Sequence, residues 1–150
     1  MDRQDLVASS TRQGFAALGW TLRVVASDVF DWMEQAPALS HDLAIANLFL
    51  HHFAGNALSR LLSGVAAHTT AFVACEPRRA PVALLGSHLV GLLGCNAIAR
   101  NDAVTSVRAG FRDSELTKVW PDALAWHTEE FDAGLFSHCF VAGRVTQGKA

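Results

Sequence analysis

The chain has 150 residues, 51% of them hydrophobic and 17% charged, which excludes a disordered polypeptide. A single domain of this length buries roughly 68–70% of its unfolded surface, enough for a core without disulfide or metal staples. The net charge of −2 gives no electrostatic reason to bind nucleic acid or an anionic membrane.

In chain order, Met1 to Leu6 carries Asp2, Arg3, Gln4 and Asp5 with no apolar core, so it does not read as a signal peptide. Val7, Thr11, Phe15 and Leu18 are spaced for a helix over 6–18, with Gly19 as its stop. Thr21 to Ala26 (TLRVVA) reads as a short strand running into Asp28, and Trp32 to Gln35 as a helical turn. Asp42 to Leu50 (DLAIANLFL) is almost uniformly apolar, the pattern of a strand covered on both faces of a parallel sheet.

Leu58, Leu61, Leu62, Val65 and Ala66 form the apolar stripe of an amphipathic helix. Thr70 to Cys75 is another apolar strand, followed by a charged turn, Glu76-Pro77-Arg78-Arg79. Val82, Leu85, Gly86, Leu89, Leu92 and Leu93 predict a buried helix. A third helix is expected from Asp113 as N-cap, with Leu116, Val119 and Trp120 on one face and Pro121 as its end. Leu124 to Phe131 and Leu135 to Val145 predict an antiparallel hairpin joined by Asp132-Ala133-Gly134.

Strands alternating with helices imply a single α/β domain over 1–150 with a parallel sheet and right-handed crossovers. The apolar stretch from Ala80 to Cys95 contains Pro81, Ser87 and His88 and is shorter than the ~20 residues of a membrane span. The cysteines Cys75, Cys95 and Cys139 are odd in number, form no C-x-x-C and sit among apolar neighbours. A soluble protein of the reducing cytoplasm is expected.

Ligands of such sheets bind outside the carboxyl ends of the strands. There, Asp28-Val29-Phe30 can serve an adenine, the carboxylate accepting from an exocyclic amine beside an apolar ring cover. The same residues also read as a helix N-cap, at Asp28 or Asp31, with core aromatics. His51 and His52 end the second strand, where a neutral imidazole suits removal of a substrate proton near neutrality. They equally suit structural bonds to backbone, and no metal-ligand spacing surrounds them. Arg78 or Arg79 can meet an anion, or simply be solvated beside a Glu76 at a helix start. No dinucleotide loop, P-loop or nucleophile elbow is present.

The pieces DVFDW, DLAIANLFLHHF, EPRR, DAVTSVRAGF, DSELTKVWP and LFSHCFVA together resemble class I S-adenosylmethionine-dependent methyltransferases. The similarity is to the bacterial ubiquinone/menaquinone-type and polyketide-associated group, and it runs from about Asp5 to Arg144. It implies a Rossmann-like sheet with a C-terminal antiparallel hairpin. It also implies a methyl group passed from the sulfonium of S-adenosylmethionine to O or C of a small phenolic or apolar acceptor. Asp28, Val29 and Phe30 would contact the adenine, Asn47 and Leu48 the methionine end, and His51 or His52 the acceptor. Phe111, Trp120, Trp126 and Phe136 are aromatic enough to line an acceptor site or to fill a core.

The family's glycine-rich loop and its first two strands, central in the sheet order 3-2-1-4-5-7-6, have no counterpart in these residues. The expectation is therefore an N-terminally truncated fold, the carboxyl-terminal two-thirds, with weak or no cofactor binding. Its exposed strand edges would invite a homodimer. The competing expectation is a non-catalytic α/β interaction module that uses those edges or the Val82 to Leu93 face.

Overall fold

The computed structural model describes residues 5–89 and 97–145. The chain forms two compact units, Met1–Pro37 and Ala38–Ala150. The first holds helices α1 (Ser9–Ala17) and α2 (Val29–Gln35). As the spacing predicts, α1 stops at Gly19, which takes φ 78°. Gly19 N–H donates to Ala16 O (3.0 Å) and Trp20 N–H to Phe15 O (2.9 Å), the paired bonds of a Schellman ending.

Thr21 to Ala26 is not a strand of the sheet, contrary to expectation. A β-branched run forms a strand only where partner strands supply its hydrogen bonds. The first unit has no strand among its described residues, only a single bridge residue at Ala26.

The second unit carries β1 (His41–Asn47), a 3-10 turn (Leu50–His52), α3 (Gly55–His68) and β2 (Thr69–Pro77). These are followed by α4 (Pro81–Leu89), α5 (Ala97–Ala109), α6 (Glu115–Val119), β3 (Trp126–Ala133) and β4 (Ser137–Arg144). The sheet is mixed, in the order β1-β2-β4-β3. β1 and β2 are parallel, whereas β4 runs antiparallel to both β2 and β3. An α/β fold is thus observed, with β1 and β2 as its parallel pair and the predicted antiparallel hairpin folded back beside β2. The hairpin loop is Gly134 to Phe136, two residues later than the sequence suggests: Ala133 and Ser137 still pair, and Gly134 takes φ 73°. The Leu89 to Leu93 end of the predicted apolar helix falls partly outside the described residues.

Alternation sorts the central strands. Phe72, Ala74, Phe140 and Ala142 are buried on one face, which α3 meets with Leu58, Leu61, Leu62 and Ala66. Trp120, just after α6, stacks on Phe72 (ring centroids 5.5 Å apart), and lies 5.1 Å from both Phe140 and Trp126. Trp120, Trp126 and Phe111 are therefore core residues, while Phe136 is exposed.

β1 is an edge strand, with Leu43 and Ile45 exposed, not a strand covered on both faces. The unit's helices leave its odd-numbered side open, and composition alone cannot distinguish a strand so left from a covered one. Asp113 takes φ 55° and is not the cap of α6, whose N-cap position is Ser114. Instead, Glu130 Oε1 and Oε2 accept from Leu116 and Thr117 N–H (3.0 and 2.9 Å). A strand carboxylate thereby does the work of a local cap.

Candidate functional site

β1 ends at Asn47, and the next residue, Leu48, turns the chain with φ 52°. A leucine rarely enters this left-handed region, at a cost of roughly 1–2 kcal/mol, so the surroundings must hold it there. Leu48 N–H donates to Cys75 O (2.9 Å), so the main-chain pairing of β1 and β2 persists past the bend. The chain then closes the 3-10 turn that carries His51 and His52. The two histidines are thus not strand residues pointing to opposite faces: their rings lie side by side, with centroids 4.1 Å apart.

Glu76 fixes this turn. It belongs to β2, continues the buried alternation of Phe72 and Ala74, and is 0% exposed. Its Oε1 accepts from the N–H groups of Phe49 (2.9 Å) and Leu50 (2.8 Å), and its Oε2 from His51 N–H (3.3 Å) and His51 Nδ1 (2.8 Å). The three amides can only donate, so the carboxylate is satisfied as a pure acceptor when Nδ1 carries the imidazole proton. That tautomer leaves Nε2 as the acceptor, the state a general base requires. The sequence reading of Glu76 as a solvated turn residue is overturned, since the strand runs two residues further than expected. The signal that could have found it was the period of two through Phe72, Ala74 and Glu76.

The arginines after β2 are tied to acids. Arg78 Nη2 lies 2.6 Å from Asp132 Oδ2, and Arg79 pairs with Glu115. Of the two readings of Arg78 and Arg79, an external anion would thus meet guanidinium groups that are already partnered.

The structure gathers Asn47, Leu48, His51 and His52 with Glu76 at the carboxyl ends of β1 and β2, the position where open α/β sheets take ligands. Asp28, Val29 and Phe30 belong to the first unit, where Asp28 caps α2 by accepting from Phe30 N–H through Oδ1 (2.9 Å). The N-cap reading of Asp28 is therefore observed.

No protein-family model matches the chain, and no curated protein is detectably similar to it. Among the described residues no helix is long and apolar enough to cross a membrane.

Proposed function

We propose that the chain is a class I S-adenosylmethionine-dependent methyltransferase-family protein that passes a methyl group to O or C of a small phenolic or apolar acceptor. The observation that carries this reading is the buried Glu76 holding His51 at the carboxyl ends of two parallel strands. The support for the family is topological: β1-β2-β4-β3, with β4 reversed, has the order of the last four strands of the fold that the sequence resembles.

In this reading Nε2 of His51 takes the proton of an acceptor hydroxyl as the oxygen becomes the nucleophile. Glu76 positions the ring and stabilises the imidazolium that forms. His52 flanks the same place. Methyl transfer is chiefly alignment of two reactants, so a rigid turn matters as much as the base.

The residues present do not make a complete site for S-adenosylmethionine. On the outer side of β1, where the family order places a strand with its glycine-rich loop, no strand lies among the described residues, and Ile45 is 71% exposed. Weak binding is therefore proposed for these residues alone, through Asn47 and Leu48 of the second unit. The free thiols of Cys75 and Cys139 accord with a cytoplasmic setting.

The test is a titration with S-adenosylmethionine followed by amide NMR. Shifts at Asn47 and Leu48 that are still growing at millimolar ligand are expected. Silence at those amides overturns the cofactor reading, and saturation at micromolar ligand overturns the weak-binding part.

One observation favours a second reading, a non-catalytic module that pairs through its sheet edge. β1 is that edge, with Leu43 49% and Ile45 71% exposed. A concentration-independent monomer mass by light scattering would dismiss the homodimer it implies.

A further inference from the structure

Cys75 and Cys139 are far apart in sequence, yet they are register partners across the antiparallel pair β2·β4. Directly opposed residues in such a pair have Cα atoms about 4.5–5.5 Å apart, inside the roughly 4.4–6.8 Å window of disulfides. Their side chains share one face, because partners in register project to the same side. That face is opposite the one buried under α3: both cysteines are part-exposed and both are reduced. Asn47 pairs with Cys75 and Phe131 with Cys139, so the two thiols occupy the centre of a four-residue row across the sheet. Burial, and then the Cys75 thiol beside it, raises the Cys139 thiol above its ordinary range. The two sulfurs are thus near enough to share a hydrogen bond.

We propose that Cys75 and Cys139 form an oxidisable dithiol, a site that closes to a disulfide by exchange with a low-molecular-weight disulfide such as oxidised glutathione. One cysteine thiolate attacks a sulfur of the oxidant. The oxidant's S–S bond breaks, one reduced thiol leaves, and a mixed disulfide remains on the protein. The second cysteine, deprotonated, attacks the protein-bound sulfur, forms the Cys75–Cys139 bond and expels the second reduced thiol. Two electrons pass to the oxidant, and the two thiol protons end on its two released thiols. Because Cys139 is raised, closure is slow near neutrality and quickens as pH rises and more thiolate forms. The inference does not rest on methyl transfer, and thiol counting reads it whether or not the cofactor binds.

The test uses the full chain carrying Cys95→Ser, so that only the pair remains. After incubation in glutathione buffers of increasing oxidised fraction, thiols are counted under denaturing conditions and intact mass is measured. The expected result is loss of both thiols together, a mass lower by two hydrogen atoms, no retained glutathione and a higher urea midpoint. Adding Cys75→Ser or Cys139→Ser should leave a lasting glutathione adduct on the remaining thiol. A lasting adduct with both cysteines present, a disulfide between two chains, or thiols untouched in fully oxidised buffer overturns the proposal. Should Cys95→Ser fail to fold, peptide mapping of the oxidised unmodified chain decides the same point by the presence or absence of a peptide joining Cys75 to Cys139.

Discussion

Oε2 of Glu76 lies 2.8 Å from Nδ1 of His51, a contact between residues 25 apart in sequence that ties the end of β2 to the turn after β1. Because the carboxylate is fully buried and also accepts from three amides, its removal leaves several donors unpaired. Glu76→Ala should cost more than the roughly 1–3 kcal/mol of a single buried donor left unpaired. Glu76→Gln keeps one acceptor oxygen but turns an NH2 toward groups that also donate, and should cost about 1–3 kcal/mol. Urea midpoints measure both, and a change below half a kilocalorie for either would remove Glu76 from this role.

The same contact predicts a tautomer. Nitrogen-15 spectra of the imidazoles should show the His51 proton on Nδ1 and an unprotonated Nε2, and Glu76→Gln should erase that preference. His52 is exposed and has no such anchor, so His52→Ala should shift stability by only about 0.5 kcal/mol. If methyl transfer is the reaction, His51→Ala should lower kcat by roughly 10²–10⁴-fold, the usual contribution of a positioned base, with cofactor affinity unchanged. Equal losses in kcat and affinity would make His51 a purely structural residue.

Much of the fold was legible because local pattern and tertiary environment agreed. The stripe of Leu58, Leu61, Leu62 and Ala66 is the buried face of α3, and the closing hairpin lies where its apolar runs put it. The strand predicted at Thr21 to Ala26 needs partner strands, none of which lies among the described residues of the first unit, and no local pattern reports that. Helix α5 was not anticipated from periodicity, since Asn101, Asp102, Thr105 and Ser106 interrupt any apolar stripe. At the candidate site, the sequence points to His51, His52, Asn47 and Leu48, but its apolar run continues three residues past the end of β1. Their organiser, Glu76, was hidden because a charged residue before Pro-Arg-Arg resembles a solvated turn.

His138 gives another test of carboxylates used in place of local caps. It is 1% exposed, with Nε2 3.1 Å from Glu130 Oε1 and Nδ1 3.1 Å from Asp132 Oδ1. A carboxylate accepts only, so both bonds are made together when both ring nitrogens carry protons. Glu130 also receives Leu116 and Thr117 N–H, and so binds β4 and the start of α6 through one buried side chain. Glu130→Ala should cost about 3–5 kcal/mol. It should also weaken the near-ultraviolet circular dichroism of Trp120, whose packing on Phe72 and Phe140 depends on α6. Retention of that signal at unchanged stability would contradict the anchor.

Two glycines separate a rigid neighbour from a movable one. A Cβ on Gly110 would overlap the Pro77 carbonyl oxygen and lie 2.8 Å from its carbon. That carbonyl cannot retreat freely, because it accepts from Phe111 N–H (2.9 Å) while Arg79 N–H donates to Phe111 O (2.9 Å). These bonds join the exit of α5 to the end of β2, next to Glu76. Gly110→Ala should therefore cost at least the roughly 1–3 kcal/mol of an overpacked site. It should also disturb the His51 tautomer, because the strain falls on the residue after Glu76. A Cβ on Gly86 would lie 2.6 Å from the Phe136 ring, but that ring is 54% exposed and free to swing outward. Gly86 sits within α4, where alanine gains about 0.5–1 kcal/mol over glycine, so Gly86→Ala should be neutral or stabilising. Thermal melts of the two variants should move in opposite directions or differ by several degrees, and equal melting points would show that the Pro77 carbonyl is not fixed.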